Sequence, residues 1–471
     1  MANLLSLNIN RISRSGVISF ILLGSIILSY AIVYQNYNII LLLASVFLVS
    51  IMLRSNVIPI SIILLTIPFS DWAVEYNLLP PQIMWFPELL SLLLFVKAVV
   101  NRVILKQRIN LFGIRVVLGF LGVIFVSLIY NGSSIVSALL FLRLLFRYYL
   151  LFLAILNLDL DERSMRLLNN ILIFIFVAQL PLSVVKLFVI GQGESSLGLS
   201  SHSVSTIFPL IAIAFLFSFY FLYKRKLIYI LLTLGFVGFS IIGGKRAFIF
   251  FLPVVLLYLA WSLKDKIKIS FRFLVLGILI ISISLYFVSR LIPTLNPERR
   301  IWGEFDPMYM MSYAYTYSTH RTESGMATGR ISATMSVFNI LRERGLYGFS
   351  FGFGPGCIMK SAFRAFDKRE ALETRFGVAY GTNGLNWLGL QVGYLGVFIY
   401  FLLFYLILRK SVRYFKKEAD PYWCSFGFGM VGFSFTMLFL SLFYGTFFNH
   451  SAISAFYFCL AGFLMKRMEI Y

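Results

Sequence analysis

The sequence predicts an all-α polytopic membrane protein of about fourteen transmembrane helices with one large, partly helical extracytoplasmic loop. Composition is the first observation behind it. Of the 471 residues 60% are hydrophobic and 17% aromatic, and only 13% are charged, about half of the ~25% found in soluble proteins. Such a chain cannot cover itself with a water-compatible surface. The second observation is a recurrence of apolar runs of about 17 to 25 residues, the length that crosses a hydrocarbon core roughly 30 Å thick. The third is the alternation of Lys and Arg clusters with those runs. Division by a typical domain size would suggest about three domains. Spanning helices instead pack into one body, so the expected organisation is one integrated membrane domain. Its parts are 1–289 (the first eleven spans), 290–384 (the large loop) and 385–471 (the last three spans).

The expected spans lie near 16–34, 37–53, 57–70, 87–101, 116–130, 135–157, 167–190, 205–223, 227–243, 246–262, 273–290, 385–408, 422–443 and 451–465. The first apolar run follows Arg11 and Arg14 and continues into further spans, unlike a cleaved signal peptide. Between the third and fourth spans, Asp71 to Phe86 carries Trp72, Trp85 and the pair Pro80-Pro81. It reads as an interfacial segment with its aromatic rings at headgroup level.

A net charge of +22 suggests nucleic acid at first sight, but in a polytopic chain Lys and Arg mainly set topology, and no nucleic-acid partner is expected. With the N-terminus inside, the clusters Arg102–Arg115, Lys224-Arg225-Lys226, Lys264–Arg272, Arg409–Lys417 and Lys466-Arg467 all fall on the cytoplasmic side. The short external loops carry only Lys245 and Arg246. Both termini are therefore expected in the cytoplasm and the 290–384 loop outside. Cys357, Cys424 and Cys459 are too few and too apolar in setting for a disulfide framework. His202, His320 and His450 lack metal-ligand spacing, and no P-loop or dinucleotide fingerprint is present. No metal and no cofactor are expected. No internal repeat with paired interrupted helices speaks for a transporter.

Two places carry charge where charge is costly. Arg143 and Arg147 share one face of the sixth span, roughly 12 and 18 Å from its outer end, and a central arginine costs at least about 2.5–3.5 kcal/mol. One reading is structural, with pairing to carbonyls or to an acidic neighbour such as Glu88. The other is contact with an anionic ligand. Lys245-Arg246 follows Gly243-Gly244 in a tight external turn that topology would leave uncharged, and a guanidinium fork suits phosphate oxygens.

The large loop is the long polar interval of the chain. In Ala327-Thr328-Gly329-Arg330, Thr328 is a candidate N-cap. Ile331, Met335, Phe338 and Leu341 then share a helical face, and Gly345 is placed to end the helix. Arg330 opposes the helix dipole in the first turn, so local stability does not ask for it. Either it is a surface arginine or it meets an anion. Glu323, in Arg321-Thr322-Glu323, is the nearest carboxylate in sequence and a candidate for proton transfer. The glycines of Gly345 to Gly356 read as turns or as a phosphate nest.

Three segments together resemble the O-antigen polymerase and O-antigen ligase superfamily. They are Thr328-Gly329-Arg330 with the helix and glycine-rich run after it, Gly243-Gly244-Lys245-Arg246-Ala247, and Gly381-Thr382-Asn383-Gly384 through Gln391-Val392-Gly393. The resemblance covers mainly 240–400. It implies a GT-C-like membrane glycosyltransferase acting on polyprenyl pyrophosphate-linked glycan at the outer face of the cytoplasmic membrane. Donor and acceptor glycans and membrane lipid are the implied partners, with chain-length regulator and flippase proteins as further candidates. Arg246 and Arg330 are then expected to hold the pyrophosphate and Glu323 to act in catalysis. Lys245, Arg143, Arg147, Arg321, Thr382 and Asn383 are expected to bind substrate. Thr382 stands where the family often has a histidine, Asn386 where a leucine is usual, and Gln391 where an acidic residue is common. Loss of that histidine favours a polymerase of O-antigen, capsule or exopolysaccharide repeat units over a ligase. A flippase or exporter without chemistry is the alternative from another class, and a structural assembly protein a further one.

Overall fold

A computed structural model describes residues 54–75, 81–190, 207–242, 246–264, 266, 286, 289–290, 295–321, 328–358, 376, 383–444 and 451–470. The chain divides into two compact units, Met1–Ile60 and Ser61–Tyr471. In the first, the described residues 54–60 begin a helix whose opening amides, Val57 N and Ile58 N, donate to Ser55 Oγ.

In the second unit every expected apolar run covered by described residues is helical, and no strand occurs among those residues. The helices are α1 (Val57–Glu75, shared between the units), α2 (Trp85–Ile104), α3 (Ile114–Asn131), α4 (Ile135–Phe146), α5 (Tyr149–Asn157), α6 (Glu162–Ile190), α7 (Ile207–Leu222), α8 (Leu227–Ile242) and α9 (Arg246–Leu263). After them come α10 (Pro307–Thr319), α11 (Arg330–Glu343), α12 (Gly345–Phe351), α13 (Gly384–Lys417), α14 (Pro421–Ser441) and α15 (Ser451–Ile470). The expected runs 16–34 and 37–53 lie outside the described residues, as does nearly all of 273–290. The stretch 71–86, expected at the interface, holds the end of α1 up to Glu75 and a 3-10 turn over Pro81–Met84 leading into α2.

Four described helices, α3, α6 up to Lys186, α13 and α14, are long and apolar enough to cross a membrane. The pair α4 and α5, bent by 53° at Arg147-Tyr148, makes a fifth if taken as one broken span. Shorter apolar helices accompany them. This is consistent with a multi-pass membrane protein. The lateral surface agrees: Leu118, Phe125 and Ile129 of α3 and Leu89, Val96 and Val103 of α2 point outward, a face that suits lipid and not water.

Helix starts are chemically specified. Asp306 and Asp420 each precede a proline and cap the following amides, Asp306 Oδ1 accepting from Met308 N and Tyr309 N, Asp420 Oδ1 from Tyr422 N and Trp423 N. The cap satisfies orphan donors, and proline suits the first helical position. Asp161 precedes α6 without a proline, its Oδ1 accepting from Ser164 N at 3.1 Å. The Ser164 hydroxyl and then its N–H hold the Asp161 carboxyl below the usual carboxylate range.

The core forms where α14 packs between α7 and α13. Ala214, Val255, Leu259, Phe415, Phe428 and Val431 bury one another there, drawing on α7, α9, α13 and α14. At one end of this body Glu162 accepts from Arg166 and Arg467 at 2.6 Å each, and Arg166 also reaches Asp420 at 3.0 Å. Nearby, Lys266 donates to the Glu418 carbonyl. All of these residues belong to segments expected on one side of the membrane. The loop segments 307–358 and the start of α13 gather around residues expected on the other.

Candidate functional site

The site is built on α11, and its start differs from expectation. Gly329 and not Thr328 occupies the N-cap, without a side-chain cap. Thr328 is drawn away because its hydroxyl lies 2.6 Å from His320 Nδ1. The His320 carbonyl then accepts from Thr328 N, Gly329 N and Ser332 Oγ, tying the helix start to the chain that leaves α10. The buried face is Ala333, Val337 and Leu341, which meet Leu390 and Phe376. Of the expected stripe only Leu341 is buried, while Ile331, Met335 and Phe338 are exposed. Apolar residues surround α11 on all sides, so spacing alone does not single out its core face. The helix ends at Glu343, and 345–351, expected as part of a glycine-rich loop, is the short helix α12.

The segment after α12 is a docking element and not a phosphate nest. Helix α13 is interrupted at Gly393, φ 67°, and the break frees carbonyls that an unbroken helix would bond internally. Phe353 N donates to Leu390 O at 2.7 Å and Gly354 N to Gln391 O at 3.2 Å. The buried Gln391 side chain accepts from Gly356 N at 3.0 Å. The two backbones cross so closely that a Cβ on Gly393 would collide with the main chain of Ser350 and Phe351, and one on Gly352 with that of Gly393 and Gln391. From α3, Ser127 Oγ donates to Phe351 O at 2.6 Å and Asn131 Nδ2 to Gly352 O at 3.3 Å. Arg344, stacked 4.3 Å over Phe353, donates to Asn131 Oδ1. The amides of the run are thus engaged with protein acceptors.

Beside this scaffold, α11 and α13 start next to each other. Asn383 caps α13, its Oδ1 accepting from Asn386 N at 2.8 Å, and its Nδ2 donates to Leu442 O and to Thr334 Oγ1. Asn386 Nδ2 donates to the same hydroxyl at 3.0 Å, and Thr334 Oγ1 in turn donates to Arg330 O. The hydroxyl therefore uses its donor and both its acceptor sites. Asn386 Oδ1 is buried, and no described donor reaches it. Gly384 N donates to Tyr444 O, and the Tyr444 ring carries the guanidinium of Arg330, with Cζ 4.4 Å from its centroid. Arg330 is half-buried, and among the described residues no carboxylate lies within ion-pair range of it. Phe251 of α9 packs edge-on to Tyr444 at 5.9 Å and against Phe443 at 5.1 Å. Arg246 opens that helix five residues earlier, about 7.5 Å along its axis. Tyr444 is the residue on which both arginine-bearing helices converge.

The other expected site residues stand elsewhere. Arg321 runs along α11 and donates to Ser336 Oγ at 3.1 Å. Arg143 and Arg147 share Glu88: Arg143 Nε donates to Oε2 at 2.6 Å, and an Arg147 terminal nitrogen lies 3.7 Å from Oε1. Both arginines thus pair with the acidic neighbour that the sequence offers. Lys245, Glu323 and Thr382 lie outside the described residues. Sequence reasoning does not reach Tyr444, Thr334 and Arg344. A tyrosine in an aromatic run and a threonine in a helix carry no local signal, and Arg344 resembles any solvated arginine at a helix end. Among the described residues no three His, Cys, Asp or Glu side chains gather as metal ligands would. Compared with known proteins, the chain matches no family model and no curated sequence.

Proposed function

We propose that this protein is a membrane glycosyltransferase that polymerises polyprenyl pyrophosphate-linked oligosaccharide repeat units into O-antigen, capsular or exopolysaccharide. In this reading it works at the outer face of the cytoplasmic membrane, with both termini in the cytoplasm. The observation that carries it is Arg330: a half-buried guanidinium, held over Tyr444 with no carboxylate among the described residues, beside the helix that Arg246 opens. A guanidinium with no counter-ion among the described residues is suited to a ligand phosphate.

In the reaction, an acceptor sugar hydroxyl attacks the anomeric carbon of the donor glycan. The bond from that carbon to the pyrophosphate oxygen breaks, and its electron pair leaves with the pyrophosphate. Arg330 and Arg246 stabilise the charge that develops on this oxygen, a type of contact whose loss costs about 2.7–4 kcal/mol of activation. The hydroxyl proton passes to a carboxylate, and Glu323 is the candidate by its closeness in sequence. The cap of Asn383 and the Thr334 hydroxyl hold the start of α13 against α11, and the buried acceptor Asn386 Oδ1 adds a polar group there.

The test is the glycan ladder of a strain lacking the gene and complemented with variants. Arg330→Ala and Arg246→Ala, at normal protein level, are each expected to leave single repeat units on the final acceptor. Near-normal chain length in either would overturn the reading. A ligase would behave differently, because its loss leaves no glycan attached at all. Sidedness is checked with an impermeant thiol reagent, which is expected to label a cysteine at Met311 but not one at Lys417.

A further inference from the structure

A cavity away from the Arg330 site shares none of its residues. It lies among α2, α3, α4 and α5 and has a volume of about 700 Å³, within the roughly 300–1,000 Å³ of ligand pockets. Its two ends differ chemically. Trp85, Glu88, Arg143 and Arg147 line one end, and the rest is aliphatic and aromatic, including Leu92, Phe95, Leu121 and Leu153. This is the shape of an amphiphile, with a polar head over an apolar shaft.

The head is electrostatically incomplete at Arg143. Its Nε is taken by Glu88, and its guanidinium stacks 4.8 Å over Trp85. Its two terminal nitrogens donate to no described residue, although the side chain is 36% exposed. A guanidinium has five N–H donors, so four are left for something else. In an apolar cavity at membrane depth, free donors on a cation are costly. The planar fork matches two oxygens of one phosphate. A second phosphate would stand against the Glu88 carboxylate, so the charge pattern favours a phosphodiester over a pyrophosphate. Trp85, which lines the cavity under Arg143, is a residue type that settles at headgroup level.

We propose that this cavity is a binding site for an anionic phospholipid of the bilayer, its phosphodiester on the terminal nitrogens of Arg143 and one acyl chain along Leu92, Phe95, Leu121 and Leu153. The site does not depend on the glycan reaction. The experiment is native mass spectrometry of the purified full chain, challenged separately with phosphatidylglycerol, phosphatidylcholine and a polyprenyl pyrophosphate. The wild type is expected to retain one phosphatidylglycerol in preference to phosphatidylcholine. Arg143→Gln, which removes a charge-assisted contact, is expected to weaken retention about tenfold or more. Leu92→Trp, at a 42% exposed position, fills the path of the chain and leaves the guanidinium in place. It is expected to lower retention as well, and it keeps the test decisive if Arg143→Gln fails to accumulate. Equal retention by wild type and either variant, equal retention of the two phospholipids, or displacement by the polyprenyl pyrophosphate would each overturn the proposal.

Discussion

The two ends of the helical body treat arginine in opposite ways. At the Glu162 end, Arg166 and Arg467 both reach Glu162, Arg166 also reaches Asp420, and Arg467 stacks 5.3 Å over Trp423. Three helices, α6, α14 and α15, are fastened by that network. At the Tyr444 end, Arg330 rests on an aromatic ring and has no described carboxylate. A cation–π contact alone is worth about 0.5–1 kcal/mol at a partly exposed site, so Arg330 adds little to the fold. The contrast separates arginines that hold helices together from one that no described carboxylate engages.

The largest expected effect that tests this contrast is on activity. Arg330→Ala is expected to slow the proposed polymerisation by about a hundredfold to a thousandfold while thermal unfolding in detergent shifts by no more than about 1 kcal/mol. An equal loss of stability and activity would make Arg330 a structural arginine like those at the other end. Glu162→Ala is the mirror experiment. It removes the carboxylate to which Arg467, 5% exposed, donates, and should destabilise by about 2–3 kcal/mol, less than the 3–5 of a fully buried pair because Glu162 itself is a third exposed. Activity per folded molecule is expected to persist, and a stable but inactive variant would place that network in the chemistry.

Gly393→Ala tests whether the interruption of α13 positions the 345–358 segment beside the candidate site. The strained backbone costs about 1–3 kcal/mol, and the new Cβ meets the Ser350 main chain. Activity should fall together with protease resistance of the 345–358 segment. An active, equally resistant variant would show that the docking of this segment does not matter to the site. The smallest effect is expected at Tyr444. Tyr444→Phe keeps the ring under Arg330 and should leave chain length unchanged, whereas Tyr444→Leu removes a contact of about 0.5–1 kcal/mol and should shorten chains modestly. If Tyr444→Phe is as damaging as Tyr444→Leu, the site uses the hydroxyl and not the ring face.

Much of the fold is legible without coordinates. Apolar runs mark helix positions because a backbone in lipid must satisfy its own hydrogen bonds, and only helices do so segment by segment. The alternation of basic clusters groups Glu162, Asp420 and Arg467 on one side, and the structure brings them into contact. Glu88 is legible as a partner of Arg143 because a cation at that depth needs one. The helix of the large loop and its end near Gly345 follow from capping and spacing, although the cap itself moves to Gly329.

The remainder depends on how the helices pack. That Gly352 and Gly393 face each other, and that Gln391 receives Gly356 N, requires two segments some forty residues apart to meet in space. Tyr444 is one of many aromatic residues until Phe251, Gly384 and Arg330 are placed around it. The four N–H groups left over on Arg143 are equally hidden, because a residue's partners are counted only after the neighbours are placed. Composition, period and charge sign are local properties and can be read along a chain. Whether a given arginine is paired or available is a property of its surroundings, fixed when the helices pack.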